Sequence, residues 1–270
     1  MTDHEPGKTP TVEQHLDSAV PETTSRRRVL AASAILGAGA TGVAPMASAG
    51  DHKDEHKGAP NDEERMGDEP PEAVPDEFEN DIEILNFART LEFLEAEFYR
   101  EGLQNIDEAA LRQQVAELGV MEDRVLQRLR TVRDHEITHA AVLGQTVEML
   151  GGEPVASPQF DFGTAVQQPD EFIATGAMLE DIGVSAYAGA APSIENVDLV
   201  APALSIHSVE ARHASLLREL NGEIGFPMAF DQPRSRSEVA LFCRRMTTVS
   251  DALTVIFRQI NWEMDAVWRY

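Results

Sequence analysis

The sequence predicts an all-α protein: a four-helix bundle with a long crossover connection and a small C-terminal extension. Three observations carry this prediction. Four segments between residues 81 and 222 place apolar residues at helical spacing. The stretch joining the second segment to the third is long and carries Pro154 and Pro158, as a crossover between helix pairs requires. Each half of the region also repeats one polar pattern inside its apolar faces: a Glu with a Tyr seven positions later, then a Glu-x-x-His.

Residues 1–24 are polar. Ser25-Arg26-Arg27-Arg28-Val29-Leu30 then opens an Ala/Gly-rich apolar run to about Pro45, and Ala47-Ser48-Ala49 presents a small-x-small cut site before Gly50. Together these resemble a twin-arginine export signal over residues 1–49, with the twin-arginine translocase as the implied partner during export. The run is short and Gly-rich for a membrane span. Left uncleaved, it would anchor the protein to the membrane instead. Residues 50–80 are rich in Asp, Glu, Pro, Gly and Lys and nearly lack large apolar side chains, which predicts a disordered acidic linker. His52 and His56 lie in it and could trap metal loosely, although a solvated linker is the simpler reading.

The bundle, residues 81–222, begins with a helix expected from Asp81 to Gly102. Leu85, Ala88, Glu92, Glu95 and Tyr99 fall on one stripe of it, and Ile84, Phe87, Leu91, Leu94 and Phe98 on the adjacent one. The helix is therefore apolar over a wide arc that carboxylates interrupt. A short helix near Asp107–Leu118 follows. The second long helix is expected from Glu122 to Leu150, stopped by Gly151-Gly152. Gly151–Gln168 forms the crossover. The third helix spans about Asp170–Gly189. The fourth spans Val197–Leu220, with Pro202 as a bend or true start and Asn221-Gly222 as its end. In the extension, residues 223–270, Ser237–Arg245 reads as helical and Ala252–Trp268 as a further candidate helix.

Composition narrows the function. The 270 residues carry a formal net charge of −25, and only Lys8, Lys53 and Lys57 among the basic residues are Lys. An acidic, Lys-poor surface suits a halophilic protein that stays hydrated in concentrated salt, where the Debye length falls to about 3 Å and self-repulsion is screened. No basic stripe exists, so no nucleic-acid partner is expected. The single cysteine, Cys243, excludes an intrachain disulfide and a thiolate-rich metal site.

The repeated polar pattern is the most informative feature. In the first half it is Glu92, Tyr99 and Glu136-Ile137-Thr138-His139; in the second it is Glu180, Tyr187 and Glu210-Ala211-Arg212-His213. On a helix, residues three apart share a face, so each Glu-x-x-His aims a carboxylate and an imidazole at one point. Two such pairs plus two single Glu are the ligand set of a carboxylate-bridged centre of two divalent metal ions inside a four-helix bundle. One Glu-x-x-His in so acidic a chain would mean little. Here two of the four His after residue 80 carry it, both on predicted helices. The neighbours Leu91, Ile137, Leu179 and Val209 are apolar. Burying four carboxylates beside them without counter-charge is prohibitive, and two cations would remove that penalty.

At these residues the chain resembles a known family. Leu85-Asn86-Phe87-Ala88 through Leu91-Glu92-Phe93-Leu94-Glu95-Ala96-Glu97-Phe98-Tyr99 is similar to the first helix of the ferritin-like domain family. Gly183-Val184-Ser185-Ala186-Tyr187-Ala188-Gly189-Ala190 resembles its third helix and Val209-Glu210-Ala211-Arg212-His213-Ala214 its fourth. The family includes desiccation-related proteins and many exported bacterial and archaeal proteins. The resemblance implies Glu92, Glu136, His139, Glu180, Glu210 and His213 as metal ligands, with Glu136 and Glu210 bridging. It implies a dimetal fold, shared by ferritins, rubrerythrins and manganese catalases, and not one reaction.

Some neighbours compete for roles. Glu95 shares a stripe with Glu92 and is the alternative ligand, although the offset to Tyr99 favours Glu92. Tyr99 and Tyr187 are candidates either to hydrogen-bond a carboxylate of the opposite half, to act as redox-active phenols, or simply to pack. His207 is a candidate neighbour of the site or a partly exposed helix residue. His135 is turned about 100° from the site and is given no role.

The expected function is that of an exported oxidoreductase with two iron or manganese ions, because carboxylate-rich sites suit these metals. Its substrates would be Fe(II), oxygen or peroxide. The alternatives are a non-enzymatic desiccation or salt-stress protein with a structural or absent metal site, and an iron-storage homo-oligomer.

Overall fold

The computed structural model of the chain describes residues 78–246. The candidate export signal, nearly all of the expected acidic linker with His52 and His56, and the candidate helix Ala252–Trp268 lie outside the described residues. Within them the architecture is all-helical, with six α-helices. These are α1 (Asp81–Asn105), α2 (Glu108–Gln114), α3 (Val125–Met149), α4 (Pro169–Ala190), α5 (Val200–Leu220) and α6 (Arg236–Met246). None of the described helices is long and apolar enough to cross a membrane.

The bundle consists of α1, α3, α4 and α5. The main pairings are α1 on α3 and α4 on α5, with α1 also touching α4. Helix α1 starts where the Asn80 side chain accepts a hydrogen bond from the Glu83 N–H at 3.1 Å, and Asp81 and Glu83 complement the positive end of its dipole. Both predicted stripes of α1 are buried, carboxylates included. Helices α3 and α5 each stop at a glycine in the left-handed region, Gly151 at φ 83° and Gly222 at φ 77°. The following N–H groups, of Gly152 and Glu223, return to the carbonyls of Val147 and Arg218 and close each helix end.

The crossover runs the length of α1. Asn86 pins its start: Asn86 Nδ2 donates to the Glu153 carbonyl at 3.1 Å, and the Val155 N–H donates to Asn86 Oδ1 at 3.0 Å. Phe162 reaches the far end of α1, its ring 5.3 Å from that of Phe98. There α4 begins with Pro169 at its first position, where no N–H is needed. Phe172 of α4 packs on Phe98 and Tyr99 and closes this end of the core. At the opposite end, Asp81 accepts hydrogen bonds from the Glu195 and Asn196 N–H groups, tying the α4–α5 connection to the start of α1.

The boundaries differ from expectation in three places. Helix α1 continues to Asn105, past Gly102. Residues Ala116–Arg124 wind as tight 3₁₀ turns, so α3 starts at Val125 and not at Glu122. Val197–Leu199 forms a separate 3₁₀ turn, which places Pro202 in the first turn of α5. The extension up to Met246 folds back on α4: the Arg234 N–H donates to the Ser185 carbonyl, and Val239, Ala240 and Cys243 join the main core. Burial pushes the Cys243 thiol up to about 12, so it is inert packing.

Candidate metal centre

The four bundle helices each deliver part of the repeated pattern to the interior. Helix α1 carries Glu92 and Tyr99, α3 Glu136 and His139, α4 Glu180 and Tyr187, and α5 Glu210 and His213. Glu136, Glu180 and Glu210 are 0 % exposed and Glu92 1 %. All six predicted ligands come together, in two groups. One is Glu92, Glu136, His139 and Glu210; the other is Glu136, Glu180, Glu210 and His213. Within each group the donor atoms lie within 4.8 Å of one another.

Glu136 and Glu210 belong to both groups, and their oxygens divide between them. Glu136 Oε2 is 3.1 Å from His139 Nδ1, and its Oε1 is 2.9 Å from His213 Nδ1. Glu210 Oε1 is 2.9 Å from His139 Nδ1, and its Oε2 is 3.8 Å from His213 Nδ1. The single Glu residues each serve one group: Glu92 Oε2 is 3.1 Å from His139 Nδ1 and Glu180 Oε2 is 3.3 Å from His213 Nδ1. The two tyrosines cross between halves. Tyr99 donates to Glu180 Oε1 at 2.6 Å, and Tyr187 donates to Glu92 Oε1 at 2.5 Å. Of the roles open to them in the sequence, the structure favours hydrogen bonding to the opposite half's carboxylate.

The atoms facing the centre fit a pair of cations. Glu136 Oε1, Glu180 Oε2, both oxygens of Glu210 and His213 Nδ1 are buried without a hydrogen-bond partner. They approach one another closely, but at angles unsuited to hydrogen bonds. A single His139 nitrogen likewise cannot serve three carboxylates with one proton. Donors gathered about a common ion behave this way: bonds of about 2.1 Å at right angles set neighbouring donors roughly 3.0 Å apart.

Electrostatics point the same way. Burial drives the Glu136 carboxyl well above its usual range, and the Glu210 and Glu180 charges add to this. Burial also lifts Glu180, to about 7 against the pull of His213. At Glu210 burial is outweighed by contacts with His139 and His213, which hold it at about 2. Burial alone would lower the two imidazoles. Instead the carboxylates around them raise His213 to about 12 and push His139 strongly in the same direction. Without metal the interior thus gathers protons on its imidazoles as counter-charge. Both phenols are also raised, first by burial and then by Glu180 or Glu92, so they keep their protons and act as donors.

Two residues gain importance over the sequence reading. His135, which was given no role, sits 2.9 Å from His213 Nε2 through its Nδ1, with the rings stacked 5.1 Å apart. Burial and the charges of His213 and His139 lower its pKa, so neutral His135 accepts a hydrogen bond from the outer nitrogen of His213. Its spacing of four from His139 was the available signal. Glu95 is also inside the bundle, 3 % exposed, beside but outside both groups. His207 is half-buried on α5 and belongs to neither group.

The surroundings of the two groups differ. Behind Tyr187, on the Glu92 side, is an apolar cavity of about 50 Å³ lined by residues including Leu85, Ala88, Leu91, Leu143 and Ile206. On the other side a surface pocket of about 320 Å³, lined by Arg124, Arg128 and Arg212, reaches His135 and His213.

A family model described as a ferritin-like domain matches residues 80–223. No curated protein matches the chain significantly.

Proposed function

As the chain belongs to the ferritin-like domain family, we propose that it is a two-metal oxidoreductase, exported by the twin-arginine route, that acts on Fe(II), oxygen or peroxide. The observation that carries this reading is the division of oxygens at Glu136 and Glu210, each facing His139 with one oxygen and His213 with the other. It supports these two as bridging carboxylates, Glu92 and Glu180 as terminal ligands, and His139 and His213 as the ligands completing each set. A donor set of four carboxylates and two imidazoles suits iron or manganese. When bound, such ions supply redox and Lewis-acid chemistry towards oxygen species.

The chain's own residues do the rest. Glu136 and Glu210 fix the spacing of the two sites, since one side chain serves both. Tyr99 and Tyr187 orient Glu180 and Glu92 by donating to the oxygen that faces away from the imidazoles. Neither phenol loses its proton readily, so their role is to hold geometry rather than to exchange protons with bulk water. His135 fixes the ring of His213 from outside. Apolar walls at Leu85, Leu91 and Leu143 line the cavity behind Tyr187, the residue that donates to Glu92. A net charge of −25 supports action in concentrated salt, and the leader sequence supports a place outside the cytoplasmic membrane.

The test is to load the purified protein with Fe(II) or Mn(II) and follow Fe(II) oxidation and peroxide consumption. Two ions per chain with either activity supports the enzyme. Two ions with neither activity supports a structural centre in a desiccation- or salt-stress protein.

A further inference from the structure

The surface pocket of about 320 Å³ beside His213 gathers three arginines in a chain whose formal net charge is −25. Arg124 directly precedes α3, and Arg128, Thr131 and His135 follow it at helical spacing, so all four lie along one face. Arg212 enters the same pocket from α5. Arg124 and Arg212 are exposed and Arg128 is half-buried. None of the residues lining this pocket is a carboxylate. Three other surface pockets of the described residues mix the two charges: Arg112 lies 2.8 Å from Glu108, Arg218 lies 2.7 Å from Asp181, and Arg100 pairs with Glu97. Arg124 and Arg212 form no ion pair with any described residue, and Arg212 donates to the Ser208 hydroxyl at 3.4 Å. The pocket's inner wall is the imidazole pair of His135 and His213, joined at 2.9 Å.

We propose that this pocket binds a small oxyanion carrying two or more negative charges, a phosphate or a polycarboxylate. Like charges gathered around one concavity repel one another, and a bound anion turns that repulsion into attraction. Guanidinium forks match the paired oxygens of phosphate and carboxylate, which a chloride ion does not offer, so the site selects oxyanions in concentrated salt. The Gln127 side chain lines the same wall and adds amide donors. The occupant sits against His135, on the outer side of the second ligand group. The site goes beyond the two-metal reading and does not depend on it, because no metal ligand other than the outer edge of His213 takes part.

The inference is tested on the metal-free full-length protein, where the anion has no ion to bind directly. Inorganic phosphate and citrate are titrated separately in roughly 0.15 M chloride, by calorimetry and by the ¹⁵N signals of the imidazoles. The wild type should bind one anion per chain with a Kd below about 10 mM, and the His135 signal should move with saturation while that of His207 stays. Phosphate bound in preference to citrate assigns a phosphate group to the ligand, and the reverse assigns a polycarboxylate. Arg212→Gln and Arg124→Gln should each weaken binding about 10–100-fold. Arg130→Gln is the control: it removes the same charge from the neighbouring pocket, where Glu108, Asp123 and Asp134 surround it, and should change the Kd less than about twofold. Absence of saturable binding of either anion up to about 10 mM would overturn the site. So would binding that leaves the His135 signal unmoved, or that Arg130→Gln weakens as much as Arg212→Gln does. A failure of the two-metal reading shows instead in metal content, which this titration does not involve.

Discussion

Replacing Tyr99 by Phe removes one oxygen from the interior and little else. The ring is 0 % exposed and packs against Phe98 and Phe172, contacts that Phe retains. What is lost is the hydroxyl that donates to Glu180 Oε1 at 2.6 Å. Glu180 is itself fully buried, and its other oxygen already has no hydrogen-bond partner. At about pH 8, above the value of about 7 for Glu180, the lost bond is one to an ionised group. Such bonds contribute about 1.5–3 kcal/mol. For a domain of this size that is a fall of about 3–12 °C in Tm. The assay is urea and thermal unfolding of the metal-free variant beside the wild type, followed by metal titration. The second ion should bind about 10–100-fold more weakly, with the first less affected. Tyr187→Phe should do the reverse, weakening the first ion through Glu92. A change below about 0.5 kcal/mol, within the range of an ordinary surface substitution, with an unchanged isotherm would refute the cross-tie.

Glu136→Ala should lose both ions, because its two oxygens face both imidazoles, whereas His213→Ala should mainly weaken one; elemental analysis of each purified variant separates the cases. Metal loading should expel protons. His213, held at about 12, and His139, shifted the same way, are both protonated at neutral pH and must be neutral to bind metal. At least two protons should leave per chain, one imidazole proton for each ion, and affinity should rise with pH by about 10-fold per unit for each ion, or about 100-fold for the pair, while both remain protonated in the free protein. Calorimetry in buffers of different ionisation enthalpy counts them, and a count of zero contradicts the charge state described. Finally, Tm at full metal occupancy should rise from roughly 0.1 to 2 M chloride as the net charge of −25 is screened, and a flat profile would argue against adaptation to salt.

Much of this site was legible in the sequence because the chemistry and the helical period coincide. A Glu flanked by Leu91 or Leu179 on an apolar stripe has nowhere to go but inward, and Glu-x-x-His then fixes which residues meet. Less legible was what depends on the facing helix. Glu92 and Glu95 are a turn apart on one stripe and both are buried. Only the residues opposite distinguish them, Tyr187 donating to Glu92 and Gly183 making room for Glu95. His135 escaped because helical angle tells where a Cβ points, not how far an imidazole reaches around the helix to His213. The late start of α3, after a 3₁₀ segment that runs on to Arg124, escaped for another reason. Turns of three residues and turns of four differ in backbone hydrogen bonding, while both bury apolar residues at similar intervals. The docking of α6 on α4 was invisible because the amphipathic pattern near Val239 and Cys243 does not name its partner surface.

The most direct test is the metal content of the wild-type protein, loaded anaerobically with Fe(II) or Mn(II) and freed of excess ion. Glu92, Glu136, Glu180 and Glu210 are at most 1 % exposed and gather around two imidazoles in two groups that share Glu136 and Glu210. The expected result is two equivalents per chain, with both ions lost together in Glu136→Ala. Less than one equivalent in the wild type would contradict a two-metal centre, and the buried carboxylates would then have to be balanced by protons alone.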